Sequence, residues 1–145
     1  MRASQVLNDV ESVFEQSQIY INTPRGKETY AVPALYQWAK FTLRPQPVSL
    51  EWLRQNVNEQ GFDTLWEQPD PKDKFYTRSA SADTNYPIII VKEPNTMWIG
   101  DGNHRIYKAI HISQQNSLPA FIVDAQQLPS PQELAGNKNS FLNTK

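Results

Sequence analysis

An α+β domain on a mixed sheet is the fold class that this sequence predicts, and three observations carry it. Tyr86-Pro87-Ile88-Ile89-Ile90-Val91 is an unbroken apolar run with the length and β-branched content of a buried strand. Behind it follow a turn, Glu93-Pro94-Asn95-Thr96, a second strand, Met97-Trp98-Ile99, a helix over 103–113 and a third strand, Pro119-Ala120-Phe121-Ile122-Val123. Ahead of it, helical periodicity and a hairpin signal stand side by side.

Each element has its own reason. Ala3, Val6, Leu7, Val10, Val13 and Phe14 recur at steps of three and four, which predicts an amphipathic helix over 3–17. Ile19-Tyr20-Ile21 and Glu28-Thr29-Tyr30-Ala31-Val32 flank the turn signal Thr23-Pro24-Arg25-Gly26, a hairpin pattern. Residues 34–43 read two ways: Pro33 can start a helix, whereas Phe41-Thr42-Leu43 favours strand. Ser49 is a helix N-cap type, Leu50, Leu53 and Val57 share a face, and Gly61 closes a helix near residue 60. Residues 62–85, with Pro69, Pro71 and a charged stretch, form a long loop, either a surface excursion or a lid over the site. From Leu128 onward Pro, Asn, Lys and Ser dominate, the composition of a frayed tail.

The 145 residues suffice for one domain with a core of its own, and the four Trp, six Tyr and six Phe argue against disorder. With 14 basic against 15 acidic side chains there is no global basic field, which disfavours non-specific sliding on DNA. The absence of cysteine removes disulfides, thiol catalysis and Cys-ligated zinc. No segment approaches the roughly 20 apolar residues of a membrane span and the start lacks a signal core. A cytoplasmic protein without membrane association is the expectation.

Chemistry concentrates in Gly100-Asp101-Gly102-Asn103-His104-Arg105. Glycines on both sides of Asp101 allow positive φ and close approach of a ligand to the backbone. Asp101 or Asn103 can cap the following helix, whose first N–H groups point outward as an anion site. Arg105 in a first helical turn is unfavourable to the dipole unless an anion is present. That anion is either a bound phosphate or a neighbouring acid that pairs with Arg105 in an otherwise structural cap. His104 and His111 lie seven positions apart, roughly 10 Å along a helix, so they cannot share a metal ion. His111, between Ile110 and Ile112, reads as structural. Lys108, four residues after His104, extends the site.

The order strand, strand, Gly-Asp-Gly-Asn-His-Arg, helix, strand resembles the core of the ParB/sulfiredoxin superfamily, in which a glycine turn and a polar-His/Glu-Arg stretch open a phosphate-gripping helix. Leu43-Arg44-Pro45-Gln46-Pro47 and the following helix resemble the segment preceding that motif. The resemblance covers residues 31–128. The expected division is an N-terminal helix-and-hairpin appendage (1–32), a ParB/sulfiredoxin-like domain (33–128) and a flexible C-terminal tail (129–145). Asn103 stands where sulfiredoxins carry their cysteine, which excludes sulfinic acid reduction. The basic residue of the preceding helix, Arg54, lies one turn away from the family's lysine. The helix-turn-helix domain of chromosome-partitioning ParB proteins is lacking, so centromere binding is not expected.

The resemblance implies a nucleotide or nucleic acid as ligand, and a ParB-like nuclease or nucleotide phosphohydrolase as activity. Gly100, Gly102, Asn103, Arg105 and Lys108 would hold the phosphate. Asp101, His104 and Arg105 would be catalytic, with Asp101 also holding magnesium or manganese, and ATP is one substrate considered. Two alternatives stand beside this. One is a non-catalytic nucleotide- or DNA-binding module that acts through a protein partner at residues 1–32. The other is a secreted nuclease toxin, for which no delivery domain is evident.

Overall fold

The structure is a computed structural model that describes residues 15–57 and 78–136. The element order is β1 (Gln18–Thr23), β2 (Gly26–Ala31), α1 (Val32–Thr42), β3 (Gln46–Ser49), α2 (Leu50–Asn56), β4 (Ile88–Glu93), β5 (Thr96–Asp101), α3 (Asn103–His111) and β6 (Ser117–Asp124). The chain is a mixed α+β fold. Strands β3–β6 form a four-stranded sheet in the order β3-β6-β4-β5, and β1 and β2 form a separate hairpin. Among the described strands only β4 and β6 run parallel, joined through β5 and α3. Among the described residues no helix is long and apolar enough to cross a membrane.

The Ile-rich run is buried because both faces of β4 are covered. Ile89 and Val91 face a core shared with Ile19, Ile21 and Tyr30 of the hairpin, Leu35, Tyr36 and Trp38 of α1, and Phe121 and Val123 of β6. Ile88 and Ile90 face the opposite core, with Leu50 and Leu53 of α2, Ile106 and Tyr107 of α3, and Leu118 of β6. The period-two alternation of a strand thus fills two apolar layers. The hairpin is therefore no appendage, because its inward Ile19 and Ile21 complete the core of the rest of the chain.

The helix expected over 3–17 falls mainly on residues outside those described, and 15–17 carry no helix. The two-way segment 34–43 is helical to Thr42. Val32, Leu35, Tyr36 and Ala39 are buried at helical spacing, and the Leu43 N–H closes on the Ala39 carbonyl at 2.7 Å. That packing overrides the strand preference of Phe41 and Thr42. Strand β3 carries Pro47, which the pattern of alternation did not expose. It is tolerated because β3 is the sheet edge, and it faces Pro119, just before β6 begins to pair with β4 at Ala120.

In α2 the Ser49 hydroxyl caps the Trp52 N–H at 3.0 Å. The helix ends at Asn56, short of the expected residue 60, because buried Val57 turns extended; Gly61 lies outside the described residues. Of the expected loop, 62–77 are also outside, while 78–80 form a helical turn.

The expected tail at 129–145 begins later than its composition suggests. Residues 131–136 are helical and Leu134 is buried in the hairpin-side core. Arg25 donates to the Leu128 carbonyl (2.8 Å) and the Tyr30 hydroxyl to the Pro129 carbonyl (2.7 Å), which ties this segment to the hairpin. One buried leucine and two long-range hydrogen bonds outweigh a tail-like composition.

Candidate functional site: the strand-to-helix corner

The corner between β5 and α3 is shaped by a β-bulge. Ile89 pairs with Asp101 and Ile90 with Ile99, so Gly100 is an extra residue without a partner. Before it, Met97 and Ile99 pack on the α3 side of the sheet and Trp98 on the hairpin side. The bulge breaks this alternation and brings the Asp101 carboxylate to Tyr36, on the hairpin side. A Cβ on Gly100 would lie 3.0 Å from Ile89 and Val91 side-chain carbons, so these buried neighbours would have to give way by a few tenths of an ångström to admit one. Gly102 then takes φ 126° as the N-cap residue of α3, and the Ile106 N–H closes the first helical turn on its carbonyl.

Gly102 has no side chain with which to cap α3, and a remote residue does so instead. The Glu15 carboxylate accepts the backbone N–H groups of His104 (through Oε1) and Arg105 (through Oε2, 3.3 Å). The same Oε2 accepts Arg105 Nε at 3.0 Å. An anion therefore sits on the N-terminus of α3, as the dipole and the orphan N–H groups require, and it belongs to the chain itself.

Arg105 is 1% exposed and uses all five of its N–H donors. Nε meets Glu15. One terminal nitrogen meets the Tyr86 and Pro87 carbonyls at 3.2 and 2.7 Å, and the other meets the Tyr36 hydroxyl and Asp101 Oδ2 at 2.9 and 2.8 Å. The rings of Tyr36 and Tyr86 lie 5.9 and 5.8 Å from the guanidinium carbon.

Asp101 is fully buried. Its Oδ1 accepts the backbone N–H groups of Glu15 and Gln16 at 3.1 and 2.9 Å, and its Oδ2 accepts Tyr36 and Arg105. Burial pushes its carboxyl up to about 6; Arg105 opposes the shift and the nearby Glu15 carboxylate adds to it. Burial also raises the Tyr36 phenol, which stays a neutral donor to Asp101.

Asn103 opens α3 at 4% exposure, and its Oδ1 has no hydrogen-bond partner among the described residues. The His104 ring is buried with Nδ1 2.9 Å from the Ser79 hydroxyl. Lys108 donates to the Ala82 carbonyl at 2.7 Å, which ties α3 to the 78–85 segment. His111 packs against the Tyr107 ring, 4.6 Å between centroids.

The structure thus gathers Asp101, Arg105 and the N–H groups of the helix start into one buried polar cluster, with Glu15 and Tyr36 as members that no local motif announced. A divalent cation does not fit at Asp101, because four donors already enclose its two oxygens. Among the described residues no group of three or more His, Cys, Asp or Glu could hold a metal ion. Compared with protein-family models, curated proteins and solved structures, the chain matches none.

Proposed function

We propose that the β5–α3 corner is a phosphate-binding site of a ParB/sulfiredoxin-like domain, and that its ligand is a nucleotide or a nucleic-acid phosphate. The carrying observation is the Glu15 carboxylate, held by two backbone N–H groups and Arg105 Nε. Two oxygens of a phosphate would meet the same three donors, with the helix dipole behind them. The element order β4, β5, α3, β6 agrees with the resemblance. In this reading Asp101 and Tyr36 are positioning residues that hold the guanidinium, while Gly100 and Gly102 shape the backbone. No step is assigned to a metal ion at Asp101.

A site-resolved titration tests the proposal. Inorganic phosphate and ATP, added to ¹⁵N-labelled protein, are expected to shift the backbone amides of His104 and Arg105 and the Arg105 Nε signal saturably. Silence of those three signals up to roughly 10 mM ligand, weaker than about −3 kcal/mol, would place any phosphate elsewhere.

A catalytic reading is favoured by one observation, the hydrogen bond between Ser79 and the buried His104 ring. An imidazole whose Nδ1 is oriented by a hydroxyl can give or take a proton at a phosphate held by its own backbone N–H. Phosphoryl transfer from ATP or cleavage of DNA would then fall about a hundredfold or more in His104→Ala, with the phosphate-induced amide shift at Arg105 retained.

A further inference from the structure

We infer that Glu15 is an intramolecular competitor for this site, and that phosphate or a phosphate monoester binds by displacing its side chain. The inference rests on the phosphate reading above and adds the site's regulation to it.

The donors divide into two sets. Four of the five Arg105 N–H groups go to Tyr86, Pro87, Tyr36 and Asp101, and these contacts build the buried cluster. The other three donors of the corner, Arg105 Nε and the N–H groups of His104 and Arg105, meet Glu15 among the described residues. They form one continuous patch that an external anion can use without disturbing the guanidinium's hold on the core.

The strap that carries Glu15 is attached independently of that carboxylate. The backbone N–H groups of Glu15 and Gln16 both donate to Asp101 Oδ1, and the Ser17 carbonyl accepts the Val32 N–H at 3.0 Å. Rotation of the Glu15 side chain can therefore vacate the patch while the strap stays latched. The tethered carboxylate acts at a high effective concentration, so external phosphate binds with an affinity reduced by the fraction of time that Glu15 is seated.

Asn103 supplies a second, independent observation. Its side chain is 4% exposed at the first residue of α3, and its Oδ1 is an acceptor without a donor among the described residues. A carboxylate cap has only acceptors to offer and cannot satisfy it. A phosphate monoester in its monoanionic form carries one O–H and so brings a donor that the carboxylate lacks. Two carboxylates, Glu15 and Asp101, also crowd one guanidinium. The arriving phosphate keeps a negative charge beside Arg105 and on the helix terminus, as Glu15 does, so the exchange leaves the dipole satisfied.

The test is titration of native protein, Glu15→Ala and Glu15→Gln with inorganic phosphate and with phenyl phosphate, read at the His104 and Arg105 amides. Circular dichroism checks that each variant is folded. Both variants are expected to bind at least about tenfold more tightly than native protein, with E15A above E15Q, which keeps one acceptor over the patch. Should E15A fail to fold, E15Q carries the comparison.

Equal affinity of native protein and the variants at those amides would overturn the competition while leaving the phosphate site in place. No binding to any of the three would overturn both readings and make Glu15 a structural cap. Tighter binding that leaves the His104 and Arg105 amides unmoved would also overturn the inference, because the gained site would lie elsewhere.

Discussion

Asp101 is a carboxylate among donors, and its titration carries a consequence for stability. Its carboxyl is raised to about 6, against about 3.9 in an unfolded chain, with burial as the first cause. Between those values the folded protein holds a proton that the unfolded chain has released. Stability from this group is therefore greatest at low pH and falls as pH rises through 6, by up to about 1.4 kcal/mol per pH unit. Urea unfolding of native protein and Asp101→Asn from pH 4 to 7 is expected to show native stability declining relative to the variant as pH rises. The opposite trend would mean that Arg105 and Tyr36 outweigh burial. The glycine turn made Asp101 and Arg105 legible as candidates, and an anion at the helix start followed from the Arg alone. The identity of that anion was not legible. Glu15 stands 90 positions from Arg105 and Tyr36 stands 65 from Asp101, and no local spacing encodes such contacts.

Among the described residues, the two positive-φ glycines separate backbone strain from collision. Gly26 in the β1–β2 turn has φ 120° with nothing within 4 Å of an added Cβ; Gly102 has φ 126° and its Cβ would lie 2.4 Å from Ile88 Cγ2. Gly26→Ala should lose only the backbone term, about 1–3 kcal/mol. Gly102→Ala should lose about 1–3 kcal/mol more, since Ile88 is walled in by the α2–α3 core. Chemical denaturation of both variants measures the difference, and equal losses would show that Ile88 gives way freely. At this scale the hairpin, β4, β5, α3 and β6 were readable because period, turn chemistry and glycines agreed. Strand β3 was not, because Pro45 and Pro47 mask an edge strand whose pairing is decided by β6. From sequence the bulge at Gly100 is indistinguishable from the turn, since register exists only between strands.

Across the whole molecule, the sheet separates two apolar layers, and the hairpin-side layer includes residues from Ile19 to Leu134. Leu134→Ala is expected to lower stability by about 2–5 kcal/mol in urea unfolding, the range for a buried leucine, whereas a surface tail would show almost nothing. The tail reading arose from composition, which reports average solubility and is blind to one inward leucine on a short helical turn. The bonds from Arg25 and Tyr30 to the Leu128 and Pro129 carbonyls bridge 103 and 99 positions. Such closures come late in time, because chain entropy must be overcome before any of these contacts forms. During synthesis the β1–β2 turn can close as soon as it emerges, yet Ile19 and Ile21 wait for Ile89 and Val91 of β4 to be made. The nascent chain therefore carries an apolar hairpin face that α1 covers only in part until β4 and the later core residues up to Leu134 are made, and that interval is when it is most exposed to aggregation and chaperone capture.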